Sequence, residues 1–217
     1  MTEEQKIMIE RKFNRYYGGV DTIFLACILN FIAVLFLLLF AGTGTENTYT
    51  AVIMPFATLI LLIGACRLMP VNIILVMMYL AVSALKNSDA QAEIPSFLTN
   101  RLVYAIPSIL IMFEIVLEIF VISVTYRLYT MTIPSLVCLV LITAVSAGRI
   151  FVESRAVAGM TPALQVWENI LNLTGLTVLF LCVRKARKEF GFVRRDALYL
   201  EICRNYTVTY PDGKKNE

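Results

Sequence analysis

The sequence predicts an all-α fold, a polytopic transmembrane helix bundle of six spans. Three observations predict it. Of the 217 residues 59% are apolar, and the mean hydropathy is +0.74. Only 16% are charged, against about 25% in an ordinary soluble domain, so polar surface is too scarce to face water on all sides. The charges are also segregated into the first 21 residues, short breaks, and the stretch after Val183. Between them lie apolar runs of roughly 16–25 residues, the length that crosses a ~30 Å hydrocarbon layer at ~1.5 Å per residue.

The first element is an amphipathic interfacial helix over residues 1–20. Thr2 is placed to cap it, with Glu3 and Glu4 in the first turn. Ile9, Phe13, Tyr16 and Tyr17 recur at helical spacing and share one face, while Lys6, Arg11, Lys12 and Arg15 suit a headgroup layer. Gly18-Gly19 is expected to break this helix and Asp21 to cap the first span. The run from Asp21 to Ala41 is too long for a cleavable signal peptide and no small-residue cleavage site follows it cleanly.

The bundle occupies 21–183, with spans at about 21–41, 48–66, 70–86, 102–126, 131–151 and 163–183. Only Arg67-Leu68-Met69 joins the second to the third, which favours an antiparallel hairpin; the alternative is a re-entrant pair over 48–86, leaving four spans. Pro55, Pro107 and Pro134 fall inside spans two, four and five, where each frees a carbonyl and favours a kink. Ala144 and Gly148 form a small-xxx-small pair on span five. The longest connection, 87–100, carries Asp89, Glu93 and Pro95. Residues 184–217 form a basic tail. Its cluster Arg184, Lys185, Arg187 and Lys188 is expected to face lipid and attract anionic headgroups at roughly 1 kcal/mol per charge. Asp196 is placed to cap a short helix with Leu198 and Ile202 on one face. Tyr206 to Tyr210 reads as extended, before a turn at Pro211-Asp212-Gly213.

Lysine and arginine distribution orients the chain. With the N-terminus cytoplasmic, the outer segments carry only Lys86, Arg101, Arg149 and Arg155 of the chain's 19 basic residues. Both termini are then cytoplasmic, which requires an even number of spans, and the expected location is the plasma membrane. Cys27, Cys66, Cys138 and Cys182 fall toward the inner span ends and Cys203 in the tail, with no C-x-x-C pair, so they read as small buried side chains. Expected partners are the bilayer, anionic lipids at the cytoplasmic face, and a membrane-protein partner or a second copy. Nothing points to nucleic acid.

The chain has no histidine. That removes His-based zinc sites, haem ligation by His, and Ser-His hydrolysis. Its aspartates, Asp21, Asp89, Asp196 and Asp212, all lie away from span centres, so an intramembrane aspartyl pair is absent. There is no G-x-S-x-G elbow and no Gly-rich phosphate loop. An enzyme, a metal site and a cofactor are not expected.

The sharpest feature is Glu114 and Glu118 in span four. Glu114 lies about 18 Å along it, near the bilayer midplane. A spacing of four puts both carboxylates on one face, and residues of this kind normally turn inward. Two such groups one turn apart are expected to titrate as a pair. They are candidates to bind a cation, a proton or a basic substrate. Arg149 on span five is in reach of Glu114 if it does not snorkel outward. Glu168, Asn169 and Asn172 occupy the outer half of span six, and Asn30 and Asn72 lie in spans one and three. Together these are expected to line a polar path, or else to hold helices together by hydrogen bonds. Two functional classes follow: a cation- or proton-coupled transporter or channel-like protein using intramembrane carboxylates, or a non-catalytic regulatory or scaffold membrane protein acting through a partner.

Overall fold

The computed structural model describes residues 3–39, 46–86, 101–156 and 161–200. Six α-helices account for nearly all of them: α1 (Glu3–Leu39), α2 (Glu46–Leu68), α3 (Ile73–Lys86), α4 (Arg101–Thr125), α5 (Tyr129–Ala156) and α6 (Pro162–Arg195). Four of these, α1, α4, α5 and α6, are long and apolar enough to cross a membrane. The other two are shorter. The apolar part of α2 is Val52–Leu68, and α3 has 14 residues, about 21 Å, which falls short of the hydrocarbon layer. The 87–100 connection, Cys203 and the segment from Glu201 onward lie outside the described residues, as does Thr2.

The helices are continuous where the sequence suggested otherwise. Gly18 and Gly19 do not break α1, whose 37 residues make a rod of about 55 Å. Helix hydrogen bonding along the rod outweighs the modest propensity penalty of two glycines, and Gly19 is needed for something else. A Cβ there would sit 2.6 Å from the backbone nitrogen of Leu68, whereas one on Gly18 would meet nothing within 4 Å. On the partner helix, a Cβ on Gly64 would sit 2.9 Å from the backbone nitrogen of Ile23 and 3.1 Å from the Gly19 carbonyl oxygen. The antiparallel α1 and α2 therefore touch backbone to backbone, the close approach that small residues permit in apolar surroundings. Arg67 donates from Nη1 to Thr22 Oγ1 (3.4 Å) at the same crossing. The pair marked in the sequence on α5 is looser, since a Cβ on Gly148 would meet only the Leu171 side chain, at 3.1 Å.

The second and third helices do not lie side by side as an antiparallel hairpin. Between them is a single 3-10 turn, Pro70–Asn72, after which α3 packs mainly on α4 and little on α2. Pro70 brings no N–H and cannot extend α2. Asn72 then folds back: its backbone N–H bonds the Met69 carbonyl (3.1 Å) and its side-chain Nδ2 bonds the Ala65 carbonyl (3.0 Å). This satisfies the end of α2 locally and turns the chain toward α4. Pro55, Pro107 and Pro134 do lie inside helices, α2, α4 and α5.

The start of α1 and the end of α6 project together on one side of the bundle. Phe13 is fully buried, edge-on to Tyr126 (4.8 Å between centroids) and Phe190 (5.5 Å). Ile9, Tyr16 and Tyr17 pack against the same core. The amphipathic face read from the sequence thus covers α6 and the α4–α5 turn, and the residues that carry it belong to the unbroken α1 rather than to a separate helix. Asp21 is no cap; it lies mid-helix and forms an ion pair with Arg187 (2.6 Å). Helix α6 runs unbroken through the basic cluster. Arg184 and Lys188 are exposed, while Lys185 pairs with Glu189 (2.8 Å) and Arg187 with Asp21. Beyond α6, Asp196 Oδ1 accepts from the Leu198 N–H (2.9 Å) in the following turn.

If the crossing is as tight as this geometry requires, Gly64→Leu lowers stability by about 1–3 kcal/mol, the cost of overpacking a close contact. Gly18→Ala, facing open space, leaves it unchanged or slightly higher. Thermal unfolding of the detergent-solubilised protein, followed by helical circular dichroism, checks both.

Candidate functional site

The buried core is densest in the half of the bundle near the two projecting ends, where Val20, Ile23, Leu68, Ile119, Val183 and Phe190 are fully or almost fully covered. The opposite half is hollow. A cavity of about 680 Å³ lies between all six helices, within the ~300–1,000 Å³ range of small-molecule sites. Its wall is mostly apolar, with Leu61, Leu62, Ile111, Met112, Leu173 and Leu176 among the lining side chains. Into it reach a few polar groups: Asn30 from α1, Thr58 from α2, Tyr79 from α3, Ser108 from α4, Arg149 from α5, and Asn169 and Asn172 from α6. Among the described residues Arg149 is the one charged side chain in that lining.

Local chemistry places these groups. Thr58 returns its hydroxyl hydrogen to the Met54 carbonyl (2.9 Å) and Ser108 to Ala105 (2.9 Å), so both are satisfied within their own helices and still present oxygen to the cavity. Arg149 donates from Nη2 to Ser108 Oγ (3.3 Å), which ties α5 to α4. Its Nε is buried and has no partner among the described residues. The charges that act on it are Glu153, one turn further along α5, and Glu168 on α6. Arg149 therefore neither snorkels free nor meets Glu114. The six candidates from the sequence are divided: Arg149, Asn169 and Asn172 converge on the cavity, Glu168 acts on Arg149 from outside the lining, and Glu114 and Glu118 lie elsewhere. Asn30 lines the cavity as expected. Asn72 does not, because the 3-10 turn places its side chain on Ala65 and Glu118, outside the lining. Ser108, Thr58 and Tyr79 were not singled out. A serine directly after Pro107 was a signal for a polar group on an otherwise apolar helix.

The two glutamates of α4 have different surroundings. Glu114 is half-buried and makes no hydrogen bond or ion pair among the described residues. Glu118 is 3% exposed. Its Oε2 accepts from Asn72 Nδ2 (3.1 Å), the same nitrogen that bonds the Ala65 carbonyl. Its Oε1 is buried without a partner among the described residues, as is Asn72 Oδ1.

A second buried carboxylate serves as the contrast. Glu189 on α6 is also 3% exposed, but both of its oxygens are engaged: Lys185 Nζ lies 2.8 Å from Oε1, and the Tyr199 hydroxyl donates to Oε2 at 2.8 Å. That cluster clamps the turn after α6 back onto the end of α6. Cys138 on α5 and Cys182 on α6 are free thiols, the second of them buried. Among the described residues no group of three or more Cys, Asp or Glu side chains is arranged to hold a metal ion.

No protein-family model, curated protein or solved structure matches the chain. The reading of its function rests on this geometry.

Removing one donor from a buried carboxylate costs about 1.5–3 kcal/mol. Tyr199→Phe is therefore expected to destabilise the protein by that amount in the same unfolding measurement, with no effect on anything the cavity binds.

Proposed function

We propose that the chain is a small solute transporter of the membrane, with the cavity between its helices as the binding site. The observation that carries this reading is the lining: all six helices contribute to one chamber of about 680 Å³ whose apolar wall holds a few polar groups and a single arginine. Packing two helices together needs no such chamber, and interiors are ordinarily filled to crystal-like density. The wall suits a small organic solute with a hydrogen-bonding head and an apolar body. Ser108, Arg149, Asn169 and Asn172 meet the head; the leucines and Met112 meet the body. Glu153 and Glu168 offset the arginine's charge, so hydrogen bonding rather than net charge selects the solute.

In this reading all six helices pass through the bilayer in alternating directions. Helix α2, at 23 residues, is about 35 Å long, and α3 starts from a turn set inside the bundle. The side from which α1 and α6 project is cytoplasmic. The Lys and Arg bias supports that side, as do the exposed Arg184 and Lys188, which there face anionic lipid. The cavity then lies in the outer half.

The test is ligand-dependent thermal stability in mild detergent across a panel of small organic acids, amines and neutral amphiphiles, followed by uptake into proteoliposomes. One class is expected to stabilise the wild type, by about 2.7 kcal/mol at a hundredfold excess over Kd. Arg149→Gln and Asn172→Leu are each expected to weaken that binding at least tenfold. A compound that stabilises the wild type and both variants equally binds elsewhere, and the cavity is then not the site.

A further inference from the structure

We propose that Glu118 and Asn72 form a single-proton site that ties the break between α2 and α3 to α4. Three observations place it. First, Glu118 and Asn72 are 3% and 2% exposed, deep in the bundle and away from the cavity lining. Second, they already share one hydrogen bond, from Asn72 Nδ2 to Glu118 Oε2 (3.1 Å). Third, each keeps one oxygen, Oε1 and Oδ1, that is buried and unpartnered among the described residues. An unsatisfied buried acceptor costs about 1–3 kcal/mol. Both of these are acceptors, so neither satisfies the other.

One proton satisfies both. On Oε1 it forms an O–H bond, takes the side chain from −1 to neutral, and gives Oδ1 the donor it lacks. The carboxyl and the amide then hold each other by two opposed hydrogen bonds, Nδ2–H to Oε2 and Oε1–H to Oδ1. The proton comes from water and returns to it; no other reactant is involved. The titratable groups acting on Glu118 are Glu114, one turn earlier on α4, and the Cys66 thiol on α2. No Lys or Arg from any helix forms an ion pair with it among the described residues. Glu189, with an ammonium donor on one oxygen and a phenol donor on the other, shows how the same side chain is settled without a proton.

The position gives the proton leverage. Asn72 Nδ2 also holds the Ala65 carbonyl at the end of α2, and Asn72 ends the turn that starts α3. Protonation therefore tightens, and proton loss loosens, the join of α2 and α3 to α4, three helices that all line the cavity. Coupling to a solute rests on the cavity being a binding site; the proton site itself does not.

The test uses the full chain in lipid, without added solute, so that it stands or falls apart from the cavity reading. Infrared difference spectra between acidic and alkaline medium are expected to show the C=O band of a hydrogen-bonded carboxylic acid that disappears as pH rises. The band should be lost in Glu118→Gln, retained in Glu114→Gln, and shifted in Asn72→Leu, where its hydrogen-bond partners are gone. Glutamine reproduces the proton-bound shape, with an amide N–H directed at Oδ1. Glu118→Gln should therefore fold and lose the pH dependence of thermal stability seen in the wild type, which falls as pH rises. A band that survives in Glu118→Gln overturns the proposal. So does a Glu118 band that sodium removes at constant pH, which would make the site one for a metal cation, or wild-type stability that responds to pH as Glu118→Gln does.

Discussion

The backbone contact between α1 and α2 sets the rest of the bundle. In an apolar solvent helices gain nothing from burying apolar surface against each other, so close packing and hydrogen bonds must hold them. Gly19 and Gly64 remove the side chains that would keep the two rods apart. Leu68, the last residue of α2, is consequently pinned near the middle of α1. That contact determines where the chain breaks, and the break determines that Asn72 faces α4 at Glu118 rather than pointing into the cavity. A crossing one turn higher would place the turn, its asparagine and its buried carboxylate partner at another depth.

The polar residues are distributed by how completely each is satisfied. At the end where α1 and α6 project, carboxylates are paired: Asp21 with Arg187, and Glu189 with Lys185 and Tyr199. Arg187 also lies over the Phe24 ring (4.7 Å) and Arg194 over Tyr17 (4.8 Å), so much of the basic cluster is used to hold α6 against α1. At the hollow end, hydroxyls and amides are bonded to their own helices, Asn30 to the Ala26 carbonyl for example (3.0 Å), while their outer faces remain available. Between the two lies Glu118, buried as deeply as Glu189 but with half its acceptors unmet. Incompletely satisfied groups inside a bilayer are costly, and this is the reason they mark function more often than support.

Legibility followed the range of each interaction. Composition, the segregation of charges and the lengths of the apolar runs depend only on the solvent the chain must meet, and they predicted long apolar helices; the bounds lie close to those of α2, α4 and α5, whereas α1 begins and α6 ends well beyond the apolar runs read from the sequence. The helical spacing of Ile9, Phe13, Tyr16 and Tyr17 was read correctly as a face. What the face covers was not legible, because lipid and a neighbouring helix are equally apolar and a sequence cannot distinguish them. Gly18-Gly19 was read as a break on local propensity, whereas Gly19 is there for a contact with Leu68, 49 positions away in the chain.

The sequence by itself determined that the chain is helical with long apolar helices suited to a membrane, and it marked the polar residues inside them, Glu118 and Arg149 among them. Only the tertiary structure decided which of these meet. Spacing placed Glu114 and Glu118 on one face of α4, but a face has no partner until another helix is packed on it. The partner of Glu118 proved to be an asparagine from a turn 46 residues earlier, and Arg149 was drawn to Ser108, 41 residues earlier. Such pairings are set by crossing angles and helix ends, which depend on the whole bundle rather than on any local stretch of chain.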